Sequence, residues 1–145
     1  MREGWVDFRV FNDGKLIIHD CFSYTPYDSF RELIDAAHLL RTSKATIDRK
    51  VIFNTEPVEY EFVFSKAEDI VTLSVSVYKD DRRTESHEEA FSLKGSYDEI
   101  CMPFWRGLRR LQSEFEPEEL DEAWHRPFPS EDLDKLTNIL KGKIL

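Results

Sequence analysis

Cysteine is scarce in this chain, which has only Cys21 and Cys101. They are far apart, and neither belongs to a C-x-x-C pair, so the pattern is neither a disulfide framework nor a zinc knuckle. No apolar run approaches the ~20 residues of a membrane span, and residues 1–11 lack the apolar stretch of a signal peptide. We therefore expect a cytoplasmic protein with reduced thiols and no membrane contact.

Glycine is also scarce, and the five glycines are scattered along the chain. They cannot form a phosphate-binding loop or a dinucleotide fingerprint. The sequence contains neither H-E-x-x-H nor G-x-S-x-G. Asp35 and His38 share a helix face, and His87 has glutamates beside it, but neither spacing specifies a metal. We expect no catalytic residue, no metal and no cofactor.

Positive charge is the third shortage, because 20 lysines and arginines oppose 29 aspartates and glutamates and leave a formal net charge of −9. Binding to nucleic acid needs a basic footprint, so we expect no nucleic-acid partner. Most of the excess negative charge lies in residues 114–134, where nine acids and one arginine give a net charge of −8. This excess favours a basic protein partner.

Aromatic side chains are abundant, with 11 Phe, 5 Tyr and 3 Trp among 145 residues. A disordered chain would be poor in them. A chain of this length is typical of one domain and can bury a core without disulfides or metals. We expect a single domain over residues 1–145.

The first two strands are predicted to form a hairpin. Residues 5–11 and 15–22 alternate between apolar and polar side chains, and Asn12-Asp13-Gly14 between them is typical of a turn. The side of this hairpin expected to face the core holds Val6, Phe8, Val10, Leu16 and Ile18. The other side is more apolar than a fully solvated face should be.

Four further strands are predicted around residues 51–53 and over residues 58–65, 70–79 and 87–94. Their alternation is clean, and the links at 66–69 and 80–86 are short and polar. This combination indicates antiparallel neighbours with one covered face.

The sequence also contains signals for four helices, one between the hairpin and the later strands and three after the last strand. The first helix is expected to start at Thr25-Pro26-Tyr27-Asp28 and end near Thr42 or Ser43. The second begins at the capping box of Ser96 and Glu99, with a kink at Pro103 or a start just before it. Two shorter helices are predicted over 117–125 and 130–141. Trp124 and Phe128 are expected to pack these two helices onto the body of the protein.

Runs of strands and runs of helices favour an α+β fold over βαβ units. The expected order is ββαββββααα. We predict one twisted antiparallel sheet of about five or six strands, with two long helices on one face and short helices at the C-terminus.

The open face of this sheet is the leading candidate for a functional surface. Glu59 and Glu61 alternate with apolar residues, so we expect both carboxylates to lie in water. The predicted partner-binding residues are Trp5, Glu59, Glu61, Ser74, Tyr78 and Glu88. We therefore predict a non-enzymatic, acidic protein-binding module, such as an inhibitor, an immunity-type protein or an adaptor.

A cleft between sheet and helices is the alternative site, in a small-molecule-binding protein or an enzyme. Its expected lining comprises His19, Cys21, Tyr24 and Tyr27. Cys101 is expected near a helix start, where the pKa of a thiol can fall.

Self-association is a third hypothesis. Trp5, Phe11 and Ile17 lie on the outer side of the predicted hairpin, and large apolar groups on a sheet face rarely stay uncovered. They would form the contact surface of a homodimer.

Overall fold

The computed structural model describes residues 4–80 and 88–142, and it shows an α+β protein with antiparallel sheets. The strands are β1 (Trp5–Asn12), β2 (Lys15–Ser23), β3 (Ile47–Asn54), β4 (Glu59–Ala67), β5 (Ile70–Tyr78) and β6 (Glu88–Gly95). The helices are α1 (Ser29–Thr42), α2 (Tyr97–Ile100), α3 (Met102–Glu114), α4 (Pro117–Trp124) and α5 (Ser130–Leu140). The predicted link at 80–86 and the first residue of the predicted strand 87–94 fall almost wholly outside the described residues.

The strands form two sheets, so the prediction of one sheet with five or six strands is wrong. Among the described strands β1 pairs only with β2, and the second sheet has the order β3-β4-β5-β6. Helix α1 explains the separation because it occupies the outer edge of β3. The Ser29 hydroxyl donates to the Ile52 carbonyl, and the Ile52 amide donates to Glu32 Oε1 at 2.9 Å. The amide and the carbonyl of Ile52 are therefore bonded to α1 and cannot pair with β2.

One face of the four-stranded sheet carries the core. Phe62, Val71 and Val75 on this face have no exposed surface. The hairpin covers one part of it, with the Phe8 ring stacked 5.4 Å from the Phe53 ring. Helix α3 covers another part, where Phe104 meets Phe62 edge-on. Helices and hairpin therefore pack on the same side of the sheet.

The second helical segment starts as its sequence predicts and then breaks. Ser96 and Glu99 form the expected capping box at the start of α2. The helix stops at Cys101, and α3 begins at Met102 with Pro103 in its first turn. Proline fits there because the first amides of a helix have no intrahelical acceptor. The predicted start just before Pro103 is confirmed, and it adds a fourth helix after β6.

The C-terminal helices are anchored as predicted by Trp124 and Phe128, which are 0% and 5% exposed. Both rings contact Phe30 of α1, at centroid distances of 4.5 and 5.0 Å. The Gly4 amide also donates to the Ala123 carbonyl at 2.7 Å. These contacts hold α4 and its following loop against the hairpin and α1.

Candidate functional site

The face of the four-stranded sheet opposite the core is built by cross-strand pairs. Side chains of directly paired residues point to the same face. Val63 pairs with Ser74, and Ser74 pairs with Ser92, so these three form one row across the sheet. The Ser74 and Ser92 hydroxyl oxygens are 3.3 Å apart. In the neighbouring row, Ser65 pairs with Thr72.

These rows define the surface that we call the serine face. Its members are Asp48, Lys50, Val63, Ser65, Thr72, Ser74, Ser76, Glu89, Ser92 and Lys94. Asp48, Lys50, Glu89, Ser92 and Lys94 are exposed, and the others are half-buried. The side chains between the two lysines are small, and most carry a hydroxyl group. The surface is therefore flat and can donate and accept hydrogen bonds along its length.

Glu59 and Glu61 lie in register with this face, but they are buried. Glu59 is 0% exposed and Glu61 is 8% exposed, so the prediction that both carboxylates lie in water is wrong. The Tyr27 hydroxyl, from the segment before α1, donates to Glu59 Oε1 at 3.2 Å. Lys50 Nζ lies 3.7 Å from Glu61 Oε2. The alternation of side chains along β4 correctly predicts the face on which Glu59 and Glu61 lie. It cannot show that other segments cover this end of the face.

A β-bulge changes the acidic residue that joins this face. The register of β5 and β6 shifts between Val75 and Ser76, which pairs Ser76 with Glu89 and Val77 with Glu88. Glu89 is thereby placed with Ser76, and Glu88 with Val77 of the core side. The predicted sharing of one face by Glu88 and Ser74 is wrong, because a bulge reverses the alternation that follows it.

The two aromatic residues of the predicted surface are separated. Tyr78 pairs with Glu59 and belongs to the four-stranded sheet. Trp5 pairs with Ser23 in the two-stranded sheet and is half-buried there. The structure thus places Ser74, Tyr78, Glu59 and Glu61 on one face, and it places Trp5 elsewhere.

The residues predicted for an alternative pocket do not come together. His19 and Cys21 are exposed on the outer side of the hairpin, where Asp7 Oδ1 lies 3.0 Å from His19 Nε2 and 4.0 Å from Cys21 Sγ. Tyr24 packs against Trp124 and His125, while Tyr27 reaches Glu59. Neither cavity described below is lined by any of the four predicted residues. Residues 4–80 and 88–142 contain no group of three or more His, Cys, Asp or Glu that could hold a metal ion.

Cys101 is 2% exposed, between α2 and α3. Burial raises the pKa of its thiol to about 12, although the nearby Lys66 charge acts in the opposite direction. Cys101 lies just before α3 as expected, but the loss of hydration on burial raises the pKa of its thiol rather than letting it fall. A thiol with this pKa is not a nucleophile at neutral pH.

A cleft of about 230 Å³ lies where the end of α1, the β4–β5 turn and the start of α2 meet. It is lined by Leu40, Arg41, Lys66, Asp69, Val71, Ser96, Tyr97 and Asp98. A second crevice between α1 and α3 is purely apolar and has no room for water. Sequence reasoning missed the cleft because its charged residues come from separate elements with no characteristic spacing.

The tip of the hairpin exposes three large apolar side chains. Phe11, Leu16 and Ile17 are 58%, 44% and 36% exposed. Leu16 was expected to face the core, but a register irregularity after Val10 pairs it with Phe11 at the tip. Leu16 is therefore exposed at the tip and is not part of the core.

The fold and these surfaces define an α+β protein in which a two-stranded and a four-stranded antiparallel sheet share one aromatic core. Within the described parts of the chain, no helix is long and apolar enough to cross a membrane. Comparison of the chain with family models, with curated proteins and with solved structures found no match.

Proposed function

We propose that this protein is a non-enzymatic binding module that holds a basic protein partner against its serine face. The observation that carries the proposal is the difference between the two faces of the four-stranded sheet. One side packs the core, and the other presents small, hydroxyl-bearing side chains in register. A flat surface of this kind suits a macromolecule better than a small ligand, which needs a concave site.

The size of the serine face limits the area of the proposed contact. Four strands of this length, about 4.8 Å apart, present roughly 500 Å². A standard interface buries about 800 Å² on each partner. The serine face alone therefore suits a transient complex, and a tighter complex would also use neighbouring surface.

The net charge of the whole chain supports a basic partner, whereas the serine face itself carries two lysines and two acids. The net charge is −9, and the acids from Glu114 to Glu122 are exposed on and around α4. A field of this sign speeds the approach of a cationic protein and weakens as salt is added. Glu59 and Glu61 lie at the covered end of this face and are buried, so they would not contact the partner directly.

The experiment compares affinity capture by three forms of the protein from an extract of cells that express it. Ser74→Arg adds bulk and positive charge at the centre of the serine face. Ser113→Arg makes the same change on the exposed surface of α3 and is the matched control. We expect a basic protein that is retained by the wild type and Ser113→Arg, lost with Ser74→Arg, and released by high salt. Equal retention of every captured protein by both variants would refute the proposal.

A second candidate function is self-association through the hairpin tip, which the exposure of Phe11, Leu16 and Ile17 favours. Sedimentation over a range of protein concentrations tests it. We expect Phe11→Ser to shift a dimer toward monomer, whereas Ile70→Ser should not, although Ile70 is a similarly exposed apolar residue at 47%. A wild-type protein that stays monomeric at every concentration would eliminate this candidate.

A further inference from the structure

The cleft at the end of the four-stranded sheet carries charges of both signs that form no ion pair with one another in the described part of the chain. Arg41 and Lys66 supply two positive charges, and Asp69 and Asp98 supply two negative charges. None of the ion pairs in the described residues joins any of these four groups. Charged groups that make no ion pair with one another can still attract a ligand group of opposite sign.

Lys66 and Arg41 have different positions in the cleft. Lys66 Nζ donates to the Leu40 carbonyl at 2.8 Å and to the Ser43 carbonyl at 3.3 Å, which ties β4 to the end of α1. Arg41 is exposed, and its guanidinium carbon lies 5.5 Å from the centre of the Tyr97 ring. This cation–π contact holds the guanidinium at the rim. Its N–H groups make no hydrogen bond within residues 4–80 and 88–142, and a guanidinium can bind a carboxylate through two of them.

The two acids lie on other walls of the cleft. Asp69 is on the turn between β4 and β5, and Asp98 is in the first turn of α2; both are exposed. Between the charged groups, the cleft is floored by Leu40, Val71 and Tyr97, which are 0%, 0% and 8% exposed. The arrangement combines two cations, of which Lys66 is bonded to backbone carbonyls, with two anions and an apolar floor.

We propose that this cleft binds a small zwitterion of the α-amino acid class. The ligand carboxylate pairs with Arg41, its ammonium group lies between Asp69 and Asp98, and its side chain rests on the apolar floor. The cleft volume of about 230 Å³ is below the roughly 300–1,000 Å³ of pockets for drug-sized ligands. This proposal does not depend on the serine face, because the two sites share no residue.

The test is a titration of the ¹⁵N-labelled protein with each standard free L-amino acid, followed by amide chemical shifts. We expect at least one amino acid to bind and to shift the amides of Asp69, Ser96 and Asp98. Its methyl ester lacks the carboxylate and its N-acetyl derivative lacks the ammonium group. Each derivative should bind at least about tenfold more weakly, because each loses one charged partner.

Matched variants connect the binding to the cleft. Arg41→Gln and Asp98→Asn should each weaken the best amino acid at least about tenfold. Arg110→Gln and Glu118→Gln remove exposed charges on α3 and α4 and should leave binding unchanged. The proposal is overturned if no amino acid binds at about 10 mM, or if the shifts map elsewhere. It is equally overturned if Arg41→Gln and Asp98→Asn have no effect, or if acetate or inorganic phosphate binds as tightly as the best amino acid.

Discussion

The Tyr97 hydroxyl donates a buried hydrogen bond of 2.7 Å to the carbonyl of Ala37. It joins the start of α2 to the middle of α1. The Ala37 carbonyl also accepts the regular bond within its own helix, so it is not left without a donor when the hydroxyl is removed.

Tyr97→Phe should therefore lower the free energy of unfolding by only about 1 kcal/mol, the typical net value of one hydrogen bond. Urea denaturation measures the change. Tyr24→Phe is the control, since its ring packs against Trp124 and His125 while no hydrogen bond of its hydroxyl is found in the described residues. A loss for Tyr97→Phe no larger than that of the control would contradict the role given to this hydrogen bond.

Glycine is required at position 4 for two reasons, the backbone conformation and the lack of room for a Cβ atom. Its φ is +76°, and an added Cβ would lie 2.3 Å from a carbon of the Tyr24 ring. Gly4→Ala should cost at least about 2 kcal/mol, because strain in the left-handed region and a clash with a packed ring act together. Thermal unfolding of the variant gives the cost directly.

Gly107→Ala is the matched control for this substitution. Gly107 lies within α3, and an added Cβ meets nothing within 4 Å. Alanine should stabilise the helix by about 0.5–1 kcal/mol. The same chemical change thus has opposite expected signs at the two positions, and the same sign at both would show that one of these local descriptions is incorrect.

Cys101 should make the fold sensitive to alkali. The pKa of its thiol is raised from 9.0 to about 12 in the folded state. A raised folded-state pKa means that the stability is complete below pH 9.0 and is lost as the pH rises toward 12. Wild-type protein should lose more stability than Cys101→Ala between about pH 8 and about pH 10. Equal losses, measured by urea midpoints, would exclude this contribution.

Glu32 should make the stability of the fold depend on pH in a lower range than Cys101 does. Burial, reinforced by the Asp28 charge, raises the pKa of this carboxyl above 4.5, although the Ile52 amide opposes the shift. Its contribution is therefore fully present below pH 4.5 and is lost as the pH rises through the folded-state pKa. Glu32→Gln keeps an acceptor for Ile52, so any advantage of this variant at neutral pH should shrink as the pH falls toward 4.5. An advantage that is constant with pH would argue against the assignment.

The sequence predicts local structure better than it predicts which elements cover others. The Ser96 capping box and the helix start before Pro103 are confirmed because their signals lie within a few residues. Glu59 is buried, and it accepts a hydrogen bond from Tyr27, which is distant in sequence. The separation of the two sheets depends on hydrogen bonds from α1 to Ile52.

The candidate sites show the same limit. Ser74 and Tyr78 lie on the predicted face because strand alternation is a local property. Glu88 does not, because the bulge opposite Ser76 depends on the pairing of two strands. The charges around Arg41 meet only when three separate segments fold together, and no spacing within any one segment indicates their meeting.

The hydrogen bond from Gly4 to Ala123 has a consequence for synthesis. The ribosome synthesises a chain from the N-terminus onward, so β1 and β2 leave the exit tunnel long before α4. An isolated hairpin is only marginally stable in water. Until the α4 segment leaves the exit tunnel, Trp124 cannot cover the ring of Phe22. We therefore expect a nascent chain arrested before α4 to be digested readily by protease, with resistance appearing late and abruptly.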